Sequence, residues 1–318
     1  IMKIALIDVK GNDNRSIENS IAMNIRNMVC ISELLEGTFF YNARQLKNIK
    51  NNFDVLLFGF GGISANIEQV RDFVKQKNPK NIYWIVTEYD STNPSLYYAC
   101  KELGIEYTSI QNMEVKDNLP KFCKKQIMLN LNLLISREAN EFTKKKYDCV
   151  YYSRWRPNRA KYLKEYLKED IFFSSDSKNF KQHKHIGCNP KYIKKLSWEN
   201  KKETLNLFRY QLYLEDERTH KVFNNLANRY YEAGFCNNVV FFDVNCRNTI
   251  NKSELGYYKE QVENYIVEDY EDLQRKIKEC NKNFKKHLAI QKTWRMNEDT
   301  SRNNMLKELK NIVYNGTK

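Results

Sequence analysis

Four strand-length apolar runs, Lys3–Asp8, Thr38–Tyr41, Asp54–Gly59 and Asn81–Thr87, alternate with helical patterns near Ser16–Glu36, Ala65–Lys77 and Ser95–Leu103. Short apolar strands joined through amphipathic helices imply βαβ units, because a parallel neighbour is reached only through a crossover. After Lys144-Lys145-Lys146 the alternation restarts at Tyr147-Asp148-Cys149-Val150-Tyr151-Tyr152. It continues as helix Asn158–Lys168, strand Ile171–Ser174, helix Trp198–Phe208, strand Tyr210–Glu215, helix His220–Ala233 and strand Val239–Asp243. A short run Tyr265-Ile266-Val267 precedes two long helical patterns, Tyr270–Ile290 and Glu298–Val313. The expected fold class is therefore α/β, with two doubly wound, Rossmann-like domains facing a cleft. We place them at residues 1–145 and 146–295, with a final helix over 296–318 returning to the first domain. Only ten glycines and five prolines occur, against an all-β reading, and no solenoid period repeats.

A chain of 318 residues is long enough for two such cores. Its 42% hydrophobic and 13% aromatic content excludes a disordered protein. No apolar run approaches the roughly 20 residues that span a bilayer, and Met2–Asp8 reads as a first strand, not a signal peptide. Eight cysteines without a CxxC spacing suit a reducing compartment. The expectation is a cytoplasmic monomer with no stable membrane association. His183, His185 and Cys188 lie close together, but no second Cys/His pair stands at zinc spacing, so no metal site is assigned.

The net charge of +14 points to a polyanionic partner, nucleic acid or an anionic membrane surface. The abundance of Lys, Asn, Ile and Tyr is also what AT-rich coding would produce, so charge alone leaves the partner open.

Three segments carry candidate chemistry. In Asn228-Arg229-Tyr230-Tyr231-Glu232-Ala233-Gly234, an arginine and a glutamate stand three apart on one helical turn before an expected glycine stop at Gly234. A guanidinium fork suits a diphosphate and a nearby carboxylate suits a ribose diol; a surface ion pair is the plain alternative. Ser153-Arg154-Trp155-Arg156-Pro157-Asn158-Arg159 places three arginines and a serine where a strand meets a helix N-terminus, a position that favours anions. No G-x-G-x-x-G or P-loop occurs. In the first domain Glu88 and Asp90 follow a buried strand, where a general base is usually placed. Gly59, Gly61 and Gly62 after the preceding strand would allow close backbone approach on the acceptor side, or simply a tight turn.

This succession resembles the GT-B glycosyltransferases, specifically the DNA β-glucosyltransferases of T-even phages. The shared features are the opening Met-Lys-Ile-Ala, an Ile-Tyr-x-x-x-Thr-acid segment from Ile82 to Glu88, and Asp148-Cys149-Val150-Tyr151 followed by Ser and Arg residues. Further along come Lys195-Leu196-Ser197 with the stretch to Glu215-Asp216, the Arg229/Glu232 pair, and Ala289-Ile290-Gln291 entering a last helix. Identity is low and the matches are short. Glu88 stands where that family has an aspartate, and the arginine spacing after Ser153 differs by one residue.

The resemblance implies transfer of a sugar, with inversion, from a nucleotide-sugar donor such as a UDP-sugar to the hydroxyl of a modified pyrimidine in double-stranded DNA. Glu88 would be the base, with Asp90 as rival. Ser153, Arg154, Arg156, Arg159 and Arg229 would hold the diphosphate, Glu232 the ribose, and Ser197 the region beside the nucleotide base. Mg2+ or Mn2+ is compatible with such chemistry, although no D-x-D ligand pair is present. The acceptor base would have to leave the stack. Two other readings stay open: a GT-B enzyme acting on a glycan or lipid, and a non-catalytic nucleic-acid binder on the same fold.

Overall fold

The computed structural model describes residues 2–8, 31–36, 38–59, 67–86, 102–104, 106–109, 130, 133, 144–153, 155–197, 200–217 and 226–315. These residues form two compact units. One takes in the described residues up to Leu133 together with those from Ser301 onward, and the other those from Lys144 to Thr300.

The first unit is built on a five-stranded sheet of β1 (Ile4–Asp8), β2 (Thr38–Asn42), β3 (Val55–Phe58), β4 (Asn81–Val86) and β5 (Glu106–Ser109), in the order β2-β1-β3-β4-β5. Every pairing is parallel. β1 and β3 are buried along their whole length, as the continuous runs Ile-Ala-Leu-Ile and Val-Leu-Leu-Phe require of strands covered on both faces. Helix α1 (Ile67–Lys77) buries Val70 and Phe73, which join Leu56, Phe58, Ile82 and Trp84 in one core.

The second unit holds a six-stranded, wholly parallel sheet. Its elements in chain order are β6 (Tyr147–Tyr152), α2 (Pro157–Tyr166), β7 (Phe172–Ser175), α3 (Ser177–His185), β8 (Lys191–Lys194), α4 (Lys201–Asn206), β9 (Phe208–Tyr213), α5 (Asn228–Phe235) and β10 (Val239–Asp243). Short helical turns then lead to β11 (Ile266–Val267), α6 (Tyr270–Asn281) and α7 (Phe284–Asn315). The order is β11-β10-β9-β6-β7-β8. The chain therefore builds one side of the sheet from β6 through β8, then crosses to β9 and builds the other.

Three expectations are corrected. Helix α4 ends at Asn206 and Phe208 opens β9, so the Trp198–Phe208 pattern was drawn too long. Strand β8, Lys-Tyr-Ile-Lys, has no apolar run to announce it; it is an edge strand, and its lysines discourage further pairing there. The two C-terminal helices divide at Lys282–Asn283, and α7 runs unbroken for 32 residues. The part of α7 beyond residue 300 belongs to the first unit. There it buries Met305, Leu309 and Val313, Tyr83 donates to the Ile312 carbonyl at 3.3 Å, and Tyr314 donates to that of Glu36 at 3.1 Å.

Because β11 is only two residues long, Val240 of β10 has no strand partner on that side. The Gln291 amide takes the role of the missing strand: Val240 N–H donates to Oε1 at 2.8 Å and Nε2 donates to the Val240 carbonyl at 2.9 Å. A buried backbone pair is thereby satisfied by one side chain.

Candidate functional site

In an open parallel sheet the loops after two neighbouring strands diverge where the strand order reverses, leaving a crevice at their carboxyl ends. In the second unit that point lies between β6 and β9. The segment after β6 carries Ser153 and Arg156 and leads into α2 with Arg159; the segment after β9 carries Glu215 and Asp216.

Five of these side chains form a chain of alternating charge. Arg156 reaches Asp216 at 3.1 Å, Arg159 reaches Asp216 at 3.4 Å and Glu215 at 2.6 Å, and Arg229 of α5 pairs with the other Glu215 oxygen. Three guanidiniums face two carboxylates, which leaves a net positive charge. The network runs from a half-exposed end at Arg156, whose side chain is 57% accessible, to a buried end at Arg159, at 4%. Desolvation pulls the Arg229 guanidinium below its ordinary pKa, with the neighbouring Arg159 charge adding to the effect. The Arg229 guanidinium also lies 5.9 Å from the Tyr151 ring centroid.

Among the described residues, the buried Ser153 Oγ and the buried Nε atoms of Arg159 and Arg229 have no hydrogen-bond partner. Donors of this kind, in a positively charged setting, fit an oxyanion ligand.

Glu232 lies one turn along α5 from Arg229 and has different company. Lys201 Nζ of α4 donates to Oε1 at 2.9 Å, Asn228 Nδ2 donates to the same oxygen at 3.2 Å, and the Tyr152 hydroxyl donates to Oε2. The side chain is wholly inaccessible. Burial, followed by the Glu232 charge, raises the Tyr152 pKa well above its usual value, so the phenol keeps its proton and stays a donor. Ser197 supports this corner through its backbone: its N–H donates to Asn200 Oδ1 at 2.9 Å and its carbonyl accepts from Lys201 N at 3.0 Å.

Gly234 does not stop the helix. α5 continues through it to Phe235, and the left-handed residue is Asn237, at φ 54°. Asn238 N–H donates to Ala233 O at 2.9 Å and Asn237 N–H to Gly234 O at 3.2 Å, the paired closure of a Schellman motif. Gly234 is required for space, since a Cβ there would stand 2.7 Å from Arg295 Nη2. The end of α5 is also held by Lys145, whose Nζ donates to Cys236 O at 2.7 Å and Asn238 Oδ1 at 3.1 Å. Burial lowers the Lys145 pKa to about 8.

Arg156, Arg159 and Arg229 are thus brought together, with Ser153 at the start of the same segment. Arg154, Glu88, Asp90, Gly61 and Gly62 lie outside the described residues. The sequence reading overlooked Glu215 and Asp216 as ion partners, and Tyr152 and Lys201 as partners of Glu232. It also overlooked Asp8, a buried carboxylate at the β1/β3 reversal of the first sheet, against which a Cβ on Gly59 would stand 2.3 Å from Oδ2. The histidine-rich segment is structural: His183 is buried, its ring centroid 4.6 Å from Phe173 and 4.9 Å from Trp155.

No family model matches the chain, and no curated protein matches it by sequence. Solved structures do. The β-glucosyltransferase of phage T4, in complex with UDP and Mn2+, superposes with a TM-score of 0.67 at 15% identity, over 98% of this chain and 100% of that one. A second structure of the T4 enzyme gives 0.66 at 16% identity with the same coverage. The chain has the GT-B fold. A more distant GT-B relative in structure is an α-glucosyltransferase in complex with UDP-glucose and DNA containing an abasic site, at a TM-score of 0.59 and 10% identity over 96% and 95% of the two chains.

The T4 structure contains Mn2+, so the carboxylates of this GT-B chain were considered as ligands. Among the described residues no three Asp, Glu, His or Cys side chains converge, and Glu215 and Asp216 are both held by guanidiniums. The described residues do not form a protein metal site.

Proposed function

We propose that this protein is a DNA glycosyltransferase that moves a sugar from a nucleoside diphosphate donor, a UDP-sugar, to the hydroxyl of a modified pyrimidine in double-stranded DNA. The observation that carries the reading is the joining of Arg156, Arg159 and Arg229 through Glu215 and Asp216 at the β6/β9 reversal, with unpartnered donors buried beside them. The fold shared with two phage-type DNA glucosyltransferases supports it.

In this reading the guanidiniums hold the diphosphate and stabilise the charge that develops as it departs. Glu88 removes the acceptor proton, with Asp90 as the rival base, and displacement inverts the sugar carbon. Gly61 and Gly62 let the first unit's backbone approach the acceptor. The target pyrimidine leaves the stack to react, and the excess of Lys and Arg holds the phosphate backbone. The protein acts as a monomer in the cytoplasm, where such a modification would shield phage DNA from restriction.

The test is mass spectrometry of nucleosides from duplex DNA containing 5-hydroxymethylpyrimidines, after incubation with the protein and a panel of nucleotide sugars. A hexose or pentose mass added to the modified pyrimidine is expected with a UDP-sugar. Transfer to a glycan or lipid acceptor, with none to DNA, would overturn the acceptor. Duplex binding should also fall log-linearly with salt, and a flat response would count against DNA.

A further inference from the structure

We propose that Lys201 and Tyr152 are the groups that read the ribose of the donor, and that Glu232 serves behind them as their anchor. This rests on the donor-site reading above.

A carboxylate that is to receive two ribose hydroxyls must offer accessible acceptor positions. Glu232 offers none: its side chain is fully buried, Oε1 already accepts from Lys201 and Asn228, and Oε2 accepts from Tyr152. The groups that reach the surface are its partners. The Lys201 side chain is 14% accessible and Tyr152 8%. The ammonium lies 5.5 Å from the Tyr152 ring centroid, so the two sit side by side.

Their chemistry complements a vicinal diol. An ammonium has three N–H donors, and among the described residues only Glu232 accepts one from Lys201. The Tyr152 hydroxyl gives its hydrogen to Glu232, which leaves the phenolic oxygen as an acceptor. A ribose hydroxyl can accept from Lys201 while another donates to Tyr152. The Lys201 charge offsets that of Glu232, so the pair presents a neutral, donor-and-acceptor surface. Lys201 stands in the first turn of α4, one residue after Asn200, whose side chain holds Ser197. The ribose-reading group is thus carried by the helix that follows the segment assigned to the nucleotide base.

The experiment is calorimetric titration of UDP and of 2′,3′-dideoxy-UDP into the full-length protein. Wild type should prefer UDP by about tenfold, the scale of one charge-assisted hydrogen bond. Lys201→Met and Tyr152→Phe should each reduce that preference to about twofold or less, while R229A should weaken both nucleotides alike and keep it. Because K201M strands a buried carboxylate, K201M/E232Q is included as a variant that removes both charges together. It should also lose the preference while binding the dideoxy nucleotide as wild type does. Retention of a tenfold preference in K201M/E232Q and Y152F would overturn the proposal, as would its absence in wild type. Failure of wild type to bind either nucleotide would overturn the donor-site reading and this inference with it.

Discussion

Glu215 and Arg229 form an ion pair in which the carboxylate is 3% accessible and the guanidinium 12%. The opposite oxygen of the same carboxylate binds Arg159 at 2.6 Å, so one acidic side chain ties α2 to α5 across the end of β9.

This sharing makes the two partners unequal. Glu215→Ala leaves two buried guanidiniums short of a counter-ion and should destabilise the protein by about 3–5 kcal/mol. Arg229→Ala leaves Glu215 paired with Arg159, so it should cost less stability. It should lower UDP affinity by roughly tenfold to a hundredfold through lost charged hydrogen bonds. Urea unfolding and calorimetric titration of both variants separate the effects; equal stability losses would mean that the carboxylate is not the shared member.

Gln291 is expected to matter through geometry, not charge. Gln291→Leu keeps the volume but strands the buried N–H and C=O of Val240, at about 1–3 kcal/mol for each. Unfolding free energy checks this, and amide exchange at Val240 should accelerate. A variant within 0.5 kcal/mol of wild type, on the order of an ordinary surface change, would contradict the assigned role.

The buried amine of Lys145 gives a pH signature. Its folded pKa, about 8, lies below the ordinary 10.5, so between these values the unfolded chain binds more protons than the folded one. Stability contributed by this site therefore rises as pH increases through that window. The penalty is complete below pH 8 and relieved toward pH 10.5, by about 3 kcal/mol in all. Lys145→Met removes the titration, so the stability of wild type relative to the variant should climb across pH 8 to 10.5. A parallel pair of curves would show that the amine keeps its normal pKa.

The base assignment has its own test. Glu88→Gln should cut single-turnover sugar transfer by about 10²–10⁴ while leaving UDP and DNA binding near wild type. Asp90→Asn should cost less. If the order is reversed, Asp90 is the base, and if neither slows transfer the acceptor-side assignment fails.

The two parallel sheets were legible because strands such as Val-Leu-Leu-Phe and Val-Val-Phe-Phe, covered on both faces, must be continuously apolar. β8 was not, since an edge strand is free to carry lysines. The division between α6 and α7 was hidden because helical periodicity persists on both sides of Lys282. At the site, the arginines announced themselves by clustering after β6. Their acidic partners did not, because Glu215 lies 56 residues from Arg159 and nothing local links them. The saturation of Glu232 was equally invisible: Tyr152 is 80 residues away in sequence and Lys201 is 31. Gly234 was misread because a glycine near a helix end usually supplies a left-handed turn, whereas here Asn237 does so and the glycine clears room for Arg295.

The unbroken course of α7 bears on the order in which the protein matures during translation. A ribosome delivers Met305, Leu309 and Val313 last, although they complete the interior of the unit whose strands emerged first. The later-made unit has its described residues in one contiguous stretch and can close as soon as Thr300 clears the exit tunnel. The first-made unit must wait, with the surface destined for those three side chains open to water or to a chaperone. A nascent chain stalled before Ser301 would therefore carry a finished second unit and an unfinished first one.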